Sequence, residues 1–141
     1  MTSKLTRISN LIALLLGAAM AANGLAMLGD PQAWYARVPG VIATGAFNQH
    51  FIRDIGLIYL LIGLAFAAGA FRSALRLTLW AAATLWLAGH ALFHLWEVAA
   101  GICGSDAIPR DFPGVTLPAL IGIGLTILSW RETRLRNPER R

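Results

Sequence analysis

The chain has 141 residues, of which 57% are hydrophobic and only 13% are charged, and its net charge is +5. Soluble domains carry about 25% charged residues, so the composition excludes an ordinary soluble globular domain and indicates a single transmembrane domain, residues 1–141. The excess positive charge is explained by membrane topology and anionic lipid, so we expect membrane lipid as a partner and no nucleic acid.

Four apolar segments predict an all-α fold, an up-down bundle of four transmembrane helices. A helix needs about 20 residues to cross a hydrocarbon core of about 30 Å. The tight turn FRSALR and two longer loops join the segments, as in antiparallel bundles. The predicted helices span about 8–28, 48–71, 76–99 and 113–131.

The first predicted helix also resembles a signal peptide, because Lys4 and Arg7 precede the apolar run LIALLLGAAMAA. The uncharged stretch continues to Leu28, however, which is longer than the apolar core of a signal peptide. Trp34 and Tyr35 then follow where an interfacial aromatic belt would lie. We therefore predict a retained transmembrane helix.

The distribution of basic residues predicts the orientation of these helices. Lysine and arginine cluster before the first helix, in the turn 72–76 and after the fourth helix. The positive-inside rule places such segments in the cytoplasm. Both termini are thus predicted to be cytoplasmic, with loops 29–47 and 100–112 on the outer side.

The second and third helices carry ionisable residues inside apolar sequence. The second helix begins FNQHFIRDIG, in which His50 and Asp54 are one turn apart and share a face, with Arg53 to the side. The third helix contains WLAGHALFHLWE. Its ionisable residues are His90, His94 and Glu97, which share one face.

These two groups are predicted to lie at the same depth. The second and third helices would run antiparallel about the turn at residues 73 and 74. His50 would then lie level with Glu97. Arg53 and Asp54 would lie level with His94. Because an ionisable group in hydrocarbon costs about 2.5–3.5 kcal/mol, such groups normally face inward and serve a function.

A metal or haem site is the first interpretation of this cluster. Imidazole and carboxylate groups at one-turn spacing suit zinc, iron, copper or manganese. The predicted metal ligands are His50, Asp54, His90, His94 and Glu97. In the haem version, His50 and His94 would clamp the iron, and Arg53 would receive a propionate.

A metal-free pocket is the second interpretation. Arg53 and Asn23 would bind a quinone, a lipid or another anionic molecule, with Trp86 and Trp96 lining the pocket and the histidines relaying protons. In a third interpretation the charges pair with one another and only fix the helix register, as in an accessory subunit. A membrane protein partner or a homo-oligomer is a further expectation, and the small residues that recur in the helices are explained by close helix packing.

Cys103 is the only cysteine and lies in the second outer loop. Thiol–disulfide exchange needs a second sulfur, so a disulfide-generating enzyme is excluded. The role of this single thiol is left open, since a reactive cysteine needs an activating neighbour. The loop then ends in Pro113-Gly114-Val115, which repeats the Pro39-Gly40-Val41 of the first outer loop.

Four motifs resemble those of small bacterial four-helix membrane proteins of the DoxX-like group. They are the helix end NGLAML, the segment DPQAWY, the loop VPGVIATG and the helix start FNQHFIRDIG. The resemblance implies a four-helix fold in the bacterial inner membrane and suggests a redox role. Together with the polar cluster, it predicts an inner-membrane protein that binds a metal or haem at the outer end of the second and third helices.

Overall fold

The computed structural model describes residues 3–136, and within them the chain is all-helical, as the sequence predicts. Four helices are long and two are short. A 3-10 turn covers Val41–Thr44, and a π-helical turn, Phe112–Thr116, joins the last two helices. In chain order the helices are α1 (Ser3–Gly29), α2 (Pro31–Arg37), α3 (Gln49–Phe71), α4 (Arg76–Ala99), α5 (Ala107–Asp111) and α6 (Leu117–Arg136).

The observed bounds differ from the predicted ones mainly at the chain ends. The helix α4 has the same bounds as the third predicted helix, and α3 begins one residue later than predicted. Helix α1 begins at Ser3, and the helical path into α6 begins at Ala107, both earlier than the apolar segments do. These extra turns contain polar residues, which a hydropathy criterion assigns to loops.

Three stretches are long and apolar enough to cross a membrane: Lys4–Gly29, Gln49–Phe71 and Ala107–Leu135. Large aliphatic side chains are exposed along them, for example Leu15 and Leu61. A water-soluble monomer rarely exposes so much apolar surface, so these helices indicate a membrane protein. Within the described residues α4 is outside this set, and its two histidines lower its hydropathy.

The helices α1 and α3 pack through glycines, with their backbones in direct contact. A Cβ atom on Gly63 would lie 2.5 Å from the carbonyl oxygen of Gly17. Seven residues further along α1, a Cβ on Gly24 would lie 2.6 Å from the carbonyl oxygen of Gly56. Membrane helices commonly pack in this way, because lipid supplies no hydrophobic drive between them.

The helix α4 packs mainly against α6 and also contacts α3. The hydroxyl groups of Thr84 and Thr126 share a hydrogen bond of 3.0 Å across α4 and α6. Gly122 leaves room for Thr84, since a Cβ there would lie 2.7 Å from the threonine Oγ1. This polar contact is partly buried and satisfied, which favours a fixed register between the two helices.

Arg76 is a buried arginine at the end of the helices that carries the α3–α4 turn, called here the turn end. Its side chain is about 5% exposed. It donates to the carbonyl oxygens of Gly69 (3.1 Å) and Ala70 (3.4 Å) and to Oε2 of Glu132 (3.0 Å). Arg76 therefore satisfies carbonyls in the last turn of α3 and ties α4 to both neighbours.

Candidate functional site at the loop end

The opposite end of the helices, where α2 and α5 lie, is called here the loop end, and His94 and Asp111 meet there. His94 lies in the last two turns of α4, and Asp111 is the last residue of α5. Nδ1 of His94 lies 3.0 Å from Oδ2 of Asp111. The Asp111 side chain is only 14% exposed, so the pair is largely removed from water.

Arg110 holds the same carboxylate from its other side. Its Nε donates to Oδ1 of Asp111 (2.7 Å) and its Nη2 donates to Oδ2 (3.2 Å). Such a two-point contact fixes both the charge and the orientation of a carboxylate. With Arg110 and His94 in place, both oxygens of Asp111 have partners.

The first loop shapes the position of Arg110. Gly40 has φ +84°, a conformation that a residue with a side chain rarely adopts. A Cβ on Gly40 would also lie 2.5 Å from Nε of Arg110. The two long loops therefore meet at this arginine, and the backbone conformation at position 40 favours glycine.

His90 lies one turn further into α4 than His94. The two imidazole rings are 4.7 Å apart between centroids and nearly perpendicular, at 80°. Trp86 stacks parallel to the His90 ring at 6.4 Å, and Tyr59 of α3 meets it edge-on at 6.3 Å. The two histidines thus share a face, as their spacing predicts, and Trp86 lies beside them.

The hydrogen bond to Asp111 assigns the tautomer of neutral His94. With Nδ1–H donating to the carboxylate, the lone pair of the imidazole is on Nε2. Carboxylates orient metal-binding and base histidines in this way. Nε2 of His94 is therefore available to bind a metal ion or to accept a proton.

The predicted residues of α3 lie in other contacts. Nε2 of His50 is 3.2 Å from Oδ2 of Asp54 on the same helix, and these side chains are 90% and 55% exposed. Arg53 donates from Nε to the carbonyl oxygen of Leu28 (3.2 Å), near the end of α1. Within residues 3–136, no hydrogen bond or ion pair joins these α3 groups to the histidines of α4.

The remaining predicted residues, Asn23, Trp96 and Glu97, make other contacts. The side-chain oxygen of Asn23 accepts a hydrogen bond from Nε1 of Trp34 (2.9 Å), which ties α1 to α2. Trp96 is exposed and stacks against Phe93 at 5.7 Å. Glu97 accepts through its main-chain oxygen from the amides of Ile102 and Cys103, at the end of α4.

The five predicted metal ligands are therefore not in one cluster. In the described part of the chain, no group of three or more His, Cys, Asp or Glu side chains is close enough to hold a metal ion. The depth estimate assumes that consecutive helices pack along their whole length, whereas α3 packs most extensively on α1. Metal and haem binding stay predictions, with His90 and His94 as the pair that the structure brings together.

The sequence interpretation missed the partners of these histidines. Arg110 and Asp111 were assigned to a loop, where their opposite charges cancel in the comparison of loop charges that predicts the orientation. The signal that was available is their position just before Pro113, because proline favours the first turn of a helix and places them at a helix entrance. Arg76 was likewise interpreted only as a cytoplasmic charge, although it is buried.

Comparison of the chain with protein-family models, with curated proteins and with solved structures finds no significant match. The resemblance to the DoxX-like group therefore stays a prediction based on the motifs alone.

Proposed function

We propose that the chain is a bacterial inner-membrane protein that crosses the membrane four times, with both termini in the cytoplasm. Three helices that are long and apolar enough to cross support this topology. The helix α4 has 24 residues and is therefore about 36 Å long at 1.5 Å per residue. That length exceeds a hydrocarbon core of about 30 Å, so α4 would cross as well.

The proposed function is the binding of a transition-metal ion by His90 and His94, at the outer end of the protein. The observation that carries this proposal is the contact between His94 and Asp111, which leaves Nε2 of His94 free as a ligand. His90 offers a second imidazole one turn away. Pairs of ligands at one-turn spacing on a helix are common in metal-binding bundles.

Two protein ligands leave coordination positions open for water or for a bound molecule. Metal sites with open positions are typical of catalytic or redox centres, whereas structural sites are closed by four ligands. Imidazole nitrogen suits zinc, copper, iron or nickel, and the two histidines do not choose among them. A haem would be held either by one histidine or by two axial ligands. His50, the second axial ligand of the haem interpretation, is paired with Asp54.

Metal binding to purified protein in detergent tests this proposal. We expect the wild-type protein to bind one Co²⁺ or one Zn²⁺ ion per chain. We expect His90→Ala and His94→Ala each to abolish binding. Asp111→Asn should weaken binding by about 10- to 100-fold, since carboxylates that hydrogen-bond to a metal-binding histidine have effects of that size. Circular dichroism on the same samples checks that the helices remain folded.

His50→Ala is the matched control, because His50 is an exposed histidine of α3 that is paired with Asp54 of the same helix. It should bind both ions as the wild-type protein does. Full binding by both folded α4 histidine variants would overturn the proposal. A visible Soret band in the purified protein would instead assign haem as the bound metal cofactor.

A metal-free, proton-linked pocket is the second candidate. It is favoured by the path of titratable side chains that runs from Asp111 through His94 and His90 to Tyr59. Such paths serve as proton relays in membrane proteins. A quinone or an anionic lipid bound near Trp86 would exchange protons along this path. The chain would do so either alone or as a subunit of a larger complex.

Trp86 provides a readout for this alternative, since a quinone bound beside it would quench its fluorescence. We would expect saturable quenching by ubiquinone that His90→Ala reduces, in protein treated with a chelator. Trp130→Phe, which removes a tryptophan at the turn end, is the control and should keep the saturable quenching of fluorescence by ubiquinone. A strictly linear response to ubiquinone concentration would count against a quinone pocket.

A further inference from the structure

We infer that the protein consists of two rigid helix pairs, α1 with α3 and α4 with α6, which pivot against each other at the turn end. The loop ends of α3 and α4 would then separate and close, which controls access to His90. This inference rests on the packing of the four helices. It does not depend on whether the site binds a metal ion, a proton or an organic ligand.

The first pair is rigid because its backbones touch at two levels. The contacts of Gly17 with Gly63 and of Gly24 with Gly56 are one heptad apart on each helix. At each of the four glycines a Cβ atom would meet a main-chain oxygen of the other helix. Packed helices with such close contacts have few alternative arrangements.

The second pair is joined by polar contacts along its whole length. Arg76 and Glu132 are ion-paired at the turn end. Thr84 and Thr126 are hydrogen-bonded near the middle. At the loop end, His94 is bound to Asp111, which continues through the π-helical turn into α6.

The two pairs are joined at the turn end. Trp80 is almost completely buried and donates from Nε1 to the carbonyl oxygen of Phe66 (3.0 Å). Gly69 accommodates the indole, since a Cβ on Gly69 would collide with it. Arg76 adds two hydrogen bonds to carbonyl oxygens of α3, so α4 is held to α3 within the first two turns after the connection.

At the loop end the pairs touch where Gly40 lies against Arg110, but within residues 3–136 no side-chain hydrogen bond or ion pair joins them there. Buried residues on α4 end at Ala91, and the last two turns of that helix are exposed or half-buried. Buried residues on α3 continue to Ile52, on the side packed against α1. In the described residues, the edge-on contact of Tyr59 with His90 is the outermost aromatic contact between α3 and α4.

This asymmetry has the form of a hinge. Polar contacts that are fully made at one end resist separation there, whereas a few ring contacts at the other end are weaker. Rigid-body movement of packed elements about a short connection is a common way for proteins to open. Opening would separate Tyr59 from His90 and expose the deeper imidazole to the outer side.

Distances between spin labels in lipid nanodiscs test the inference, with Cys103→Ser as background. Labels at L57C and L92C report the loop ends of α3 and α4. Labels at L64C and L85C report the same two helices nearer the turn end. Labels at L25C and L57C report the loop end within the first pair, and all these leucines are exposed.

We expect the distance distribution of the Leu57–Leu92 pair to be about twice as broad as the other two, since only this pair spans the moving ends. Trp80→Phe, which removes the hydrogen bond to Phe66, should broaden the Leu64–Leu85 distribution as well. Three equally narrow distributions would overturn the inference. A Leu25–Leu57 distribution as broad as Leu57–Leu92 would also overturn it, because fraying of α3 would then explain both.

Discussion

At the residue scale, the positive charge of Arg76 is buried and surrounded by acceptors. Arg76 bonds to two carbonyl oxygens at the end of α3 and to the carboxylate of Glu132. The last carbonyls of a helix lack partners within the helix, so the guanidinium satisfies them as well as the acid. Removing one partner of a buried pair leaves the other charge without compensation.

Glu132→Gln should therefore lower the free energy of unfolding by about 1–3 kcal/mol, the usual cost of an unsatisfied buried polar group. Thermal unfolding in detergent, followed by circular dichroism, measures the change. Arg131→Gln is the control, since Arg131 is exposed on the neighbouring position. Equal melting temperatures for both variants would contradict the role given to the pair.

The two Pro-Gly-Val segments offer a second comparison at this scale. Gly40 has φ +84° and lies against Arg110, whereas Gly114 lies in the π-helical turn with no atom within 4 Å of an added Cβ. Gly40→Ala should destabilise the protein by about 1–3 kcal/mol through backbone strain. Gly114→Ala should leave stability unchanged or raise it by up to about 1 kcal/mol.

Chemical denaturation of the two alanine variants measures this difference, and metal binding gives a second readout. Because Gly40 positions Arg110, its alanine variant should also bind metal more weakly than the Gly114 variant does. Identical effects of the two substitutions would show that the loops do not meet as described.

At the scale of helices, contact between α1 and α3 depends on the absence of side chains. The four glycines lie on facing sides of the two helices, one heptad apart on each. The gain comes from dispersion between closely packed backbones, which is lost when the helices move apart. Other glycines in these sequences, including Gly89 and Gly124, have open space around them and carry no such role.

Gly63→Ala should destabilise the pair by about 1–3 kcal/mol, the usual cost of overpacking a tight contact. Gly89→Ala adds the same methyl group to α4, where no atom lies within 4 Å, and should be stabilising by up to about 1 kcal/mol. The melting temperatures of the two variants should thus move in opposite directions. Equal shifts would show that the backbones do not touch at Gly63.

At the scale of the whole molecule, charge and apolar surface together favour one placement in the membrane. Basic residues lie around the turn end and in the sequence after α6, and the loop end carries the His94, Asp111 and Arg110 contacts. Because the positive-inside rule places basic segments in the cytoplasm, the loop end would face outward. The candidate metal site would then be reached from the outer side.

Cys103 allows a direct test of this orientation, since it lies at the loop end and is partly exposed. A membrane-impermeant maleimide should label it in spheroplasts without permeabilisation. In a Cys103→Ser background, the cysteine of an Arg134→Cys variant should be labelled only after permeabilisation. The reverse pattern would place both termini on the outer side.

The sequence by itself determined the helices and the face shared by His90 and His94, because hydropathy and helical periodicity are local properties of the chain. The tertiary structure decided the lateral partners: α3 packs most extensively on α1, His94 contacts Asp111 and Arg76 is buried. These choices depend on close backbone approach and on single hydrogen bonds between residues far apart in the chain. Depth along a helix can be counted from the sequence, whereas the neighbour at that depth depends on packing.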